Sequence, residues 1–452
     1  MANFTLKKGY DIPLDGAPAA DVVQVAAPTS VAIKPIEYRG IKPKLLVAEG
    51  DAVKAGSPLC CVKNRDDILF TSPVSGTVSN IEHGARRVLN SITVTPDGKN
   101  EAVAFKQYDA GAISGLSHDN VLTQVLAAGM LPVFRQRPFA NMADPDVTPR
   151  DIFISAFDTA PLAADTALIV KGNEAAFQAG LSAAAKLTTG KVHLSINGSG
   201  DVPAAFSGAR DVEIHSFSGP HPAGCVGVQI HHIAPIKHRT DVVWYATVQG
   251  IILLGRLFLQ GKYSPEIVVA IAGSAVRKPK HCRTIVGADV ASILGEDADT
   301  GELRYISGNV LTGTKIAPDG HQNFYESTLT LIWEAKEAEL LGWAMPGLNR
   351  MSKYRTYLSA LIPGKKFAPD TKLNGGHRAF VATGYYEDVL PMDIFPMFLL
   401  KSILVEDFDE MEGLGIFEVT EEEFALCEYV CPSKMEIQEI IRDGLDLIQR
   451  EG

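Results

Sequence analysis

Cys427 and Cys431, in the stretch ALCEYVCPSK, are followed at once by Pro432. That is the closing half of a C-x2-C-x2-C-x3-C-P run, in which each thiolate holds an iron of a cluster. A four-iron cluster asks for four such ligands. The next cysteines upstream, Cys282 and Cys225, stand more than 140 residues away. The spacing of four instead sets both sulfurs on one face of a helical turn, where a free thiol packs as a small apolar group. Glu421, Glu422 and Glu423 add negative charge just upstream, which disfavours an already anionic cluster. The expectation is a vestigial pair that serves packing, with Pro432 ending one helix and Met435 beginning the next.

Two further clusters could carry chemistry. Five of the eleven histidines fall in HSFSGPHPAGCVGVQIHHIAPIKH, residues 215–238. A metal needs three ligands converging on one point, and His231 and His232, read as strand, face opposite sides. No metal is expected there. SGPHPAGCVG reads as an ordered loop lining a crevice or a subunit contact, with His221 held between two prolines. In MLPVFRQRPFANM, residues 130–142, Phe134, Arg135, Arg137 and Phe139 could flank a planar, polar-edged ligand such as a quinone or flavin ring. The plainer alternative is a rigid, proline-bounded connection with its arginines in solvent. No G-x-S-x-G, H-E-x-x-H or P-loop is present, and no catalytic residue is assigned.

The elements that must hold these groups follow from pattern. In EGDAVKAGSPL and SPVSGTV, between residues 45 and 81, short strands alternate with glycine turns, which resembles a biotinyl/lipoyl-like barrel-sandwich hybrid. A carrier domain presents a modified lysine on its hairpin tip. Here the tip is KNRDD, with Arg65 nearest that position, and an arginine cannot be acylated. A structural module is expected at about 36–100, within an N-terminal region of residues 1–110. Over 111–257, β-rich runs alternate with alanine-rich helices, a Rossmann-like α/β domain. No G-x-G-x-x-G follows its strands, so no dinucleotide fingerprint exists. Residues 258–333 read as a β-grasp, SLBB-like domain. Residues 334–452 carry long runs at helical spacing, a helical, ferredoxin-like remnant domain.

Composition narrows the rest. A net charge of −11 argues against a nucleic-acid partner. The N-terminus shows no apolar signal core, and six scattered cysteines form no disulfide framework, so a reducing, cytoplasmic setting is expected. VVWYATVQGIILLGRLFLQG, residues 242–261, is the most membrane-like stretch and is read as a buried helix rather than a span. Work at a membrane would then go through docking.

FSGPHPAGCVG, ISGNVLTG, GGHRAFVATGYYEDVLPMDIFP and ALCEYVCPSK occur in that order. Together they closely resemble the A subunit of the bacterial Na+-translocating NADH:quinone oxidoreductase, through most of the chain. More distantly the chain is similar to the C subunit of the Rnf complex and the flavin-bearing NADH-binding subunit of respiratory complex I. The resemblance implies a cytoplasm-facing, peripheral member of a six-subunit membrane complex that couples NADH oxidation and quinone reduction to Na+ export. It implies the B to F membrane subunits as partners. NADH, flavins and iron centres then belong to those partners, no cofactor is bound by this chain, and quinone is a possible ligand. The distant relatives carry a glycine-rich flavin loop where this chain has the bulky GMLPVFRQRPF. The scaffold reads as inherited, with its cofactor sites lost. The quinone-proximal residues are then Phe134, Arg135, Arg137, Phe139 and His221. An independent flavin- or NAD-linked oxidoreductase is the alternative.

Overall fold

A computed structural model describes residues 2–335 and 342–451. Residues 336–341, at the opening of the expected helical domain, lie outside the described residues. Two short strands come first, β1 (Asn3–Thr5) and β2 (Ala19–Gln24), and neither pairs within the module that follows them. That module holds β3 (Val31–Ile33), β4 (Pro43–Leu45), β5 (Ala52–Val53), β6 (Pro58–Val62), β7 (Arg65–Thr71), β8 (Gly76–His83) and β9 (Leu89–Pro96). Its two sheets run β3-β9-β8-β5 and β4-β6-β7. Gly50 and Gly56 take φ of 92° and 88° at the turns, the left-handed region that favours glycine. Gly76 is needed for space instead, since a Cβ there would meet Thr95 O at 2.1 Å. At the hairpin tip, the Arg65 guanidinium donates to both Asp67 and Asp146.

The α/β domain opens with α1 (Ala110–Ile113), α2 (His118–Ala127), β10 (Arg135–Arg137), β11 (Asn141–Met142) and β12 (Ile152–Ser155). It continues with α3 (Thr166–Val170), α4 (Glu174–Ala184), β13 (Val192–Asn197), α5 (Ala204–Ser207), β14 (Glu213–Ser218), α6 (Val226–Ile233), β15 (Val243–Thr247) and α7 (Val248–Gln260). The sheet runs β1-β14-β13-β12-β15-β10-β11, parallel from β1 to β15, with β10 antiparallel to β15. The chain lays β13 and β14 on one side of β12, then returns to place β15 on the other. The order therefore reverses between β12 and β15.

Residues 242–261 are not one helix. Val243–Thr247 is rich in β-branched and aromatic residues and pairs with β12. The Thr247 side chain then accepts from Gly250 N–H and starts α7, and Gly261, at φ 62°, ends it. His231 and His232 also differ from the strand reading, for they occupy the last turn of α6. Their partners are Glu418 and the Pro391 carbonyl.

The β-grasp sheet comprises β16 (Glu266–Ala272), β17 (Lys280–Ile285), β18 (Leu303–Ser307), β19 (Thr314–Ile316) and β20 (Thr328–Trp333), crossed by helix α8 (Val290–Leu294). Its order is β19-β18-β20-β16-β17-β2, so the N-terminal β2 closes one edge. Towards the C-terminus come α9 (Pro396–Leu404), α10 (Phe408–Gly413), α11 (Glu421–Val430) and α12 (Ile437–Glu451).

Side chains alternate across the α/β strands. Ile152, Ile154 and Trp244 join a core shared with the N-terminal module and the β-grasp sheet. Phe153, Val243 and Tyr245 point the other way, into a second core built with the C-terminal helices. Among the described residues no helix is long and apolar enough to cross a membrane.

Candidate functional site

Open α/β sheets bind ligands outside the carboxyl ends of their strands where strand order reverses. A cavity of about 660 Å³ lies at that place, reaching Ser155 at the end of β12 and Thr247 at the end of β15. Asp158, Arg135, Tyr245, Tyr325, Glu326 and Glu422 also line it. These come from the α/β, β-grasp and helical parts, so the cavity is a junction.

Arg135 is its organising cation. The β10–β15 register sets Arg135 opposite Tyr245, and the guanidinium carbon lies 4.6 Å from the Tyr245 ring and 4.5 Å from the Tyr325 ring. Stacked between two tyrosines, a guanidinium keeps its charge at low desolvation cost. Carboxyls surround it. Burial pushes Glu326 up to about 8. Burial, then the neighbouring Glu423, pushes Glu422 up to about 7. Burial also raises Asp158, and takes Glu37 to about 7. Near neutral pH the cavity therefore holds protons that could be donated as hydrogen bonds. The Tyr325 hydroxyl is buried without a hydrogen-bond partner, a donor free for a ligand acceptor.

Of the other expected residues, Arg137 sits behind the cavity, 5.4 Å from the Tyr245 ring. It is 1% exposed, not in solvent. It donates to both Glu423 oxygens at 3.1 and 2.9 Å, and Glu423 also accepts from the Thr420 N–H and hydroxyl. Phe134 is fully buried against Trp244. Phe139, at φ 80°, meets Phe417 edge-on, and its carbonyl accepts from Arg442. His221 is on a separate loop. Burial takes it down to about 4, and Thr159 Oγ1, which accepts from Gly224 N–H, lies 3.1 Å from its Nδ1. Arg135 is thus the one of the five that lines the cavity.

A flavin or dinucleotide phosphate finds a poor fit here. Met130, Leu131 and Phe134 are buried apolar side chains where a phosphate would need a glycine-rich backbone turn, and the cavity is lined by seven carboxyls against three arginines. An iron–sulfur donor set is equally short. Cys427 and Cys431 are fully buried, burial pushes the Cys427 thiol up, and Cys431 Sγ is engaged by the Tyr386 hydroxyl at 3.0 Å and Met435 N–H at 3.4 Å. Helix α11 ends at Val430 with Cys431 as its cap, one residue before Pro432, and the next helix begins at Ile437 rather than the expected Met435.

Sequence reasoning missed the cavity's other walls. Asp158 stands three residues past the end of β12, the kind of strand-end position where ligands bind in open α/β sheets. Tyr325, Glu326 and Glu422 follow no motif and converge through domain packing. It also missed His193, which with Glu213 and His215 forms the one group among the described residues able to hold a metal ion. His193 Nδ1 and His215 Nε2 are 3.0 Å apart, a separation that a shared hydrogen bond also explains.

Family models match residues 4–97 as the NqrA N-terminal barrel-sandwich hybrid domain, 116–263 as the NqrA second alpha/beta domain and 268–317 as the NQRA C-terminal domain. The chain is 40% identical over 450 residues to the A subunit of the Na(+)-translocating NADH-quinone reductase of Pasteurella multocida (strain Pm70), covering 99% of this chain and 100% of that one. The protein of the same name from Klebsiella pneumoniae (strain 342) is 40% identical over 448 residues, covering 99% of each chain. Among solved structures, an NAD+-reducing [NiFe]-hydrogenase chain is similar at 12% identity and TM-score 0.37, over 76% of this chain and 62% of that one, too low to carry an argument.

Proposed function

The chain belongs to the NqrA family, the A subunits of Na+-translocating NADH-quinone reductases, and from that premise we propose that it serves in this role within a Na+-pumping NADH:quinone reductase. The observation that carries the reading is 40% identity spanning 99% of the chain. An independent flavin- or NAD-linked oxidoreductase is not favoured, since the relatives match end to end and no glycine-rich phosphate turn follows the α/β strands. Its partners are the other members of the assembly, the B to F subunits, and its place is peripheral, on the cytoplasmic side of the inner membrane. NADH, flavins and iron centres reside in those partners, and this chain contributes structure and a quinone-proximal pocket.

The pocket is the cavity around Arg135. Quinone reduction consumes two electrons and two protons at the two carbonyl oxygens. The protonated Glu326 and Glu422 carboxyls are the groups able to give up those protons near neutral pH. Tyr325 O–H donates a hydrogen bond that orients one oxygen, and Tyr245 and the Arg135 plane offer faces for a ring. The electrons come from partner subunits. Of the expected residues, Arg137 and Phe139 act on the pocket by holding its wall to the C-terminal helices. Phe134 and His221 act as packing.

The test is complementation. In a strain lacking its own NqrA, this chain should restore Na+-stimulated NADH:quinone reduction in membranes, and failure to restore it would overturn the assignment. Tyr325→Phe should raise the quinone KM several-fold with kcat little changed. An unaltered KM would remove the pocket from the reading.

A further inference from the structure

Residues 345–381 depart from the rest of the molecule in charge and in surface. They carry seven Lys or Arg against the single Asp370, a net +6 in a chain of −11. They also expose apolar side chains that a soluble surface ordinarily hides. Leu361 is 77% exposed, Leu373 58%, Met345 55% and Leu348 54%. The stretch has little regular structure beyond the short turn Leu358–Leu361. It is tied to the body at several points: the Phe367 N–H and carbonyl pair with Pro13 O and Asp15 N–H, Thr371 joins Glu334 and Ala335, Lys353 lies beside Asp388, and the Arg378 N–H and Ala379 O meet Ser433.

The stretch does not form a tip. It bends into one wall of a groove of about 740 Å³, whose other wall is Tyr429, Val430 and Lys434 on and after α11. Met351, Tyr354, Phe367 and Leu373 give it apolar lining, beside Lys353, Lys372, Lys434 and Asp370; Lys353 lies 3.8 Å from Asp388 and Lys372 3.1 Å from Asp370. Apolar anchors flanked by cations, in a concavity, suit a chain that brings apolar side chains between acidic ones. A bilayer suits them less, because a flat anionic surface cannot enter a groove and would face a body that carries −17 outside this stretch.

We infer that the 345–381 groove is a docking face for an acidic, apolar-anchored polypeptide segment of a partner in the reductase, a step that rests on the family role above and gives that assembly a contact surface. Electrostatic attraction brings the segment in, and burial of Leu348, Leu373 and the groove's other apolar lining holds it.

The test uses the full chain, tagged and expressed with the other subunits, then isolated from detergent extract. Lys372→Glu/Lys434→Glu and Leu348→Asp/Leu373→Asp change groove-lining side chains that are exposed or half-exposed, so the isolated variants should keep the wild-type thermal melt. Each should reduce the co-purifying subunits at least tenfold. Where a variant fails to fold, hydrogen exchange on the wild-type chain replaces it, and slower exchange over 345–381 in the complex is the expected result. Undiminished co-purification by folded variants, or unchanged exchange, overturns the inference while leaving the family role intact. If the wild-type chain retrieves no subunit, the assignment itself fails. Flotation of the isolated chain with phosphatidylglycerol vesicles at physiological salt would give the face to lipid and overturn the polypeptide occupant.

Discussion

Arg137 joins two parts of the chain that lie 286 positions apart, and its chemistry dictates a strong expectation. Both the guanidinium and the Glu423 carboxylate are essentially without solvent, at 1% and 0% exposure. Burial alone would favour the neutral arginine, but the facing Glu423 outweighs it and the group is held charged. Two ions removed from water repay their desolvation only while both are present. Arg137→Ala should therefore cost about 3–5 kcal/mol in denaturant unfolding, because it strands Glu423. The double change Arg137→Met/Glu423→Leu should recover most of that loss. Equal losses for single and double variants would show that the pair contributes packing alone. In sequence, Arg137 reads as a ligand flank because its type and its neighbours Phe134 and Phe139 suit a planar ring. Nothing local points to a glutamate so far downstream.

At the scale of elements, local chemistry announces itself and pairing does not. Turn glycines mark the N-terminal module, strand–helix repetition marks the α/β layer, and helical spacing marks α9 to α12. The β-branched start of 243–247 is also visible, though an apolar run of that length hides the break between β15 and α7. By contrast, β1 and β2 lie next to each other in sequence and join different sheets, through partners at β14 and β17. Short strands carry too little pattern to choose such partners. The contact of α4 with α7 shows the same limit, since it depends on where two glycines meet backbone. A Cβ on Gly255 would meet Ala176 O at 1.8 Å, and one on Gly180 would meet Ile251 O at 2.0 Å. Alanine in a helix gains about 1 kcal/mol over glycine, but forcing these backbones apart costs about 1–3 kcal/mol or more. Gly255→Ala should therefore lower the melting temperature. Gly413→Ala, where a Cβ meets nothing within 4 Å, should leave it level or raise it. The reverse order would remove close helix approach as the reason for these glycines.

The whole molecule is built around one junction, where the α/β sheet, the β-grasp sheet and the C-terminal helices close on the Arg135 cavity. No single segment of sequence contains it, which is why sequence reading reached Arg135 alone of its lining. The same convergence makes the fold sensitive to pH in a definite direction. Glu326 titrates at about 8 in the folded chain, and Glu422 and Glu37 at about 7, against an ordinary value of 4.5, with burial the first cause in each case. A carboxyl whose folded value is raised binds its proton more tightly folded than unfolded. Its contribution is complete below about pH 4.5 and is lost as pH climbs through the folded value. Stability should therefore decline from about pH 4.5 to about pH 8. Arg135 between its tyrosines moderates the loss by favouring the ionised forms, and it stays charged across that range. Glu326→Gln keeps a neutral donor of similar shape, so it removes one titration without opening the cavity. Thermal melts of the two proteins across this range should show a shallower decline for Glu326→Gln, with the largest advantage above about pH 8. Parallel curves would mean that Glu326 is hydrated in solution, and that the junction is more open than its closed walls imply.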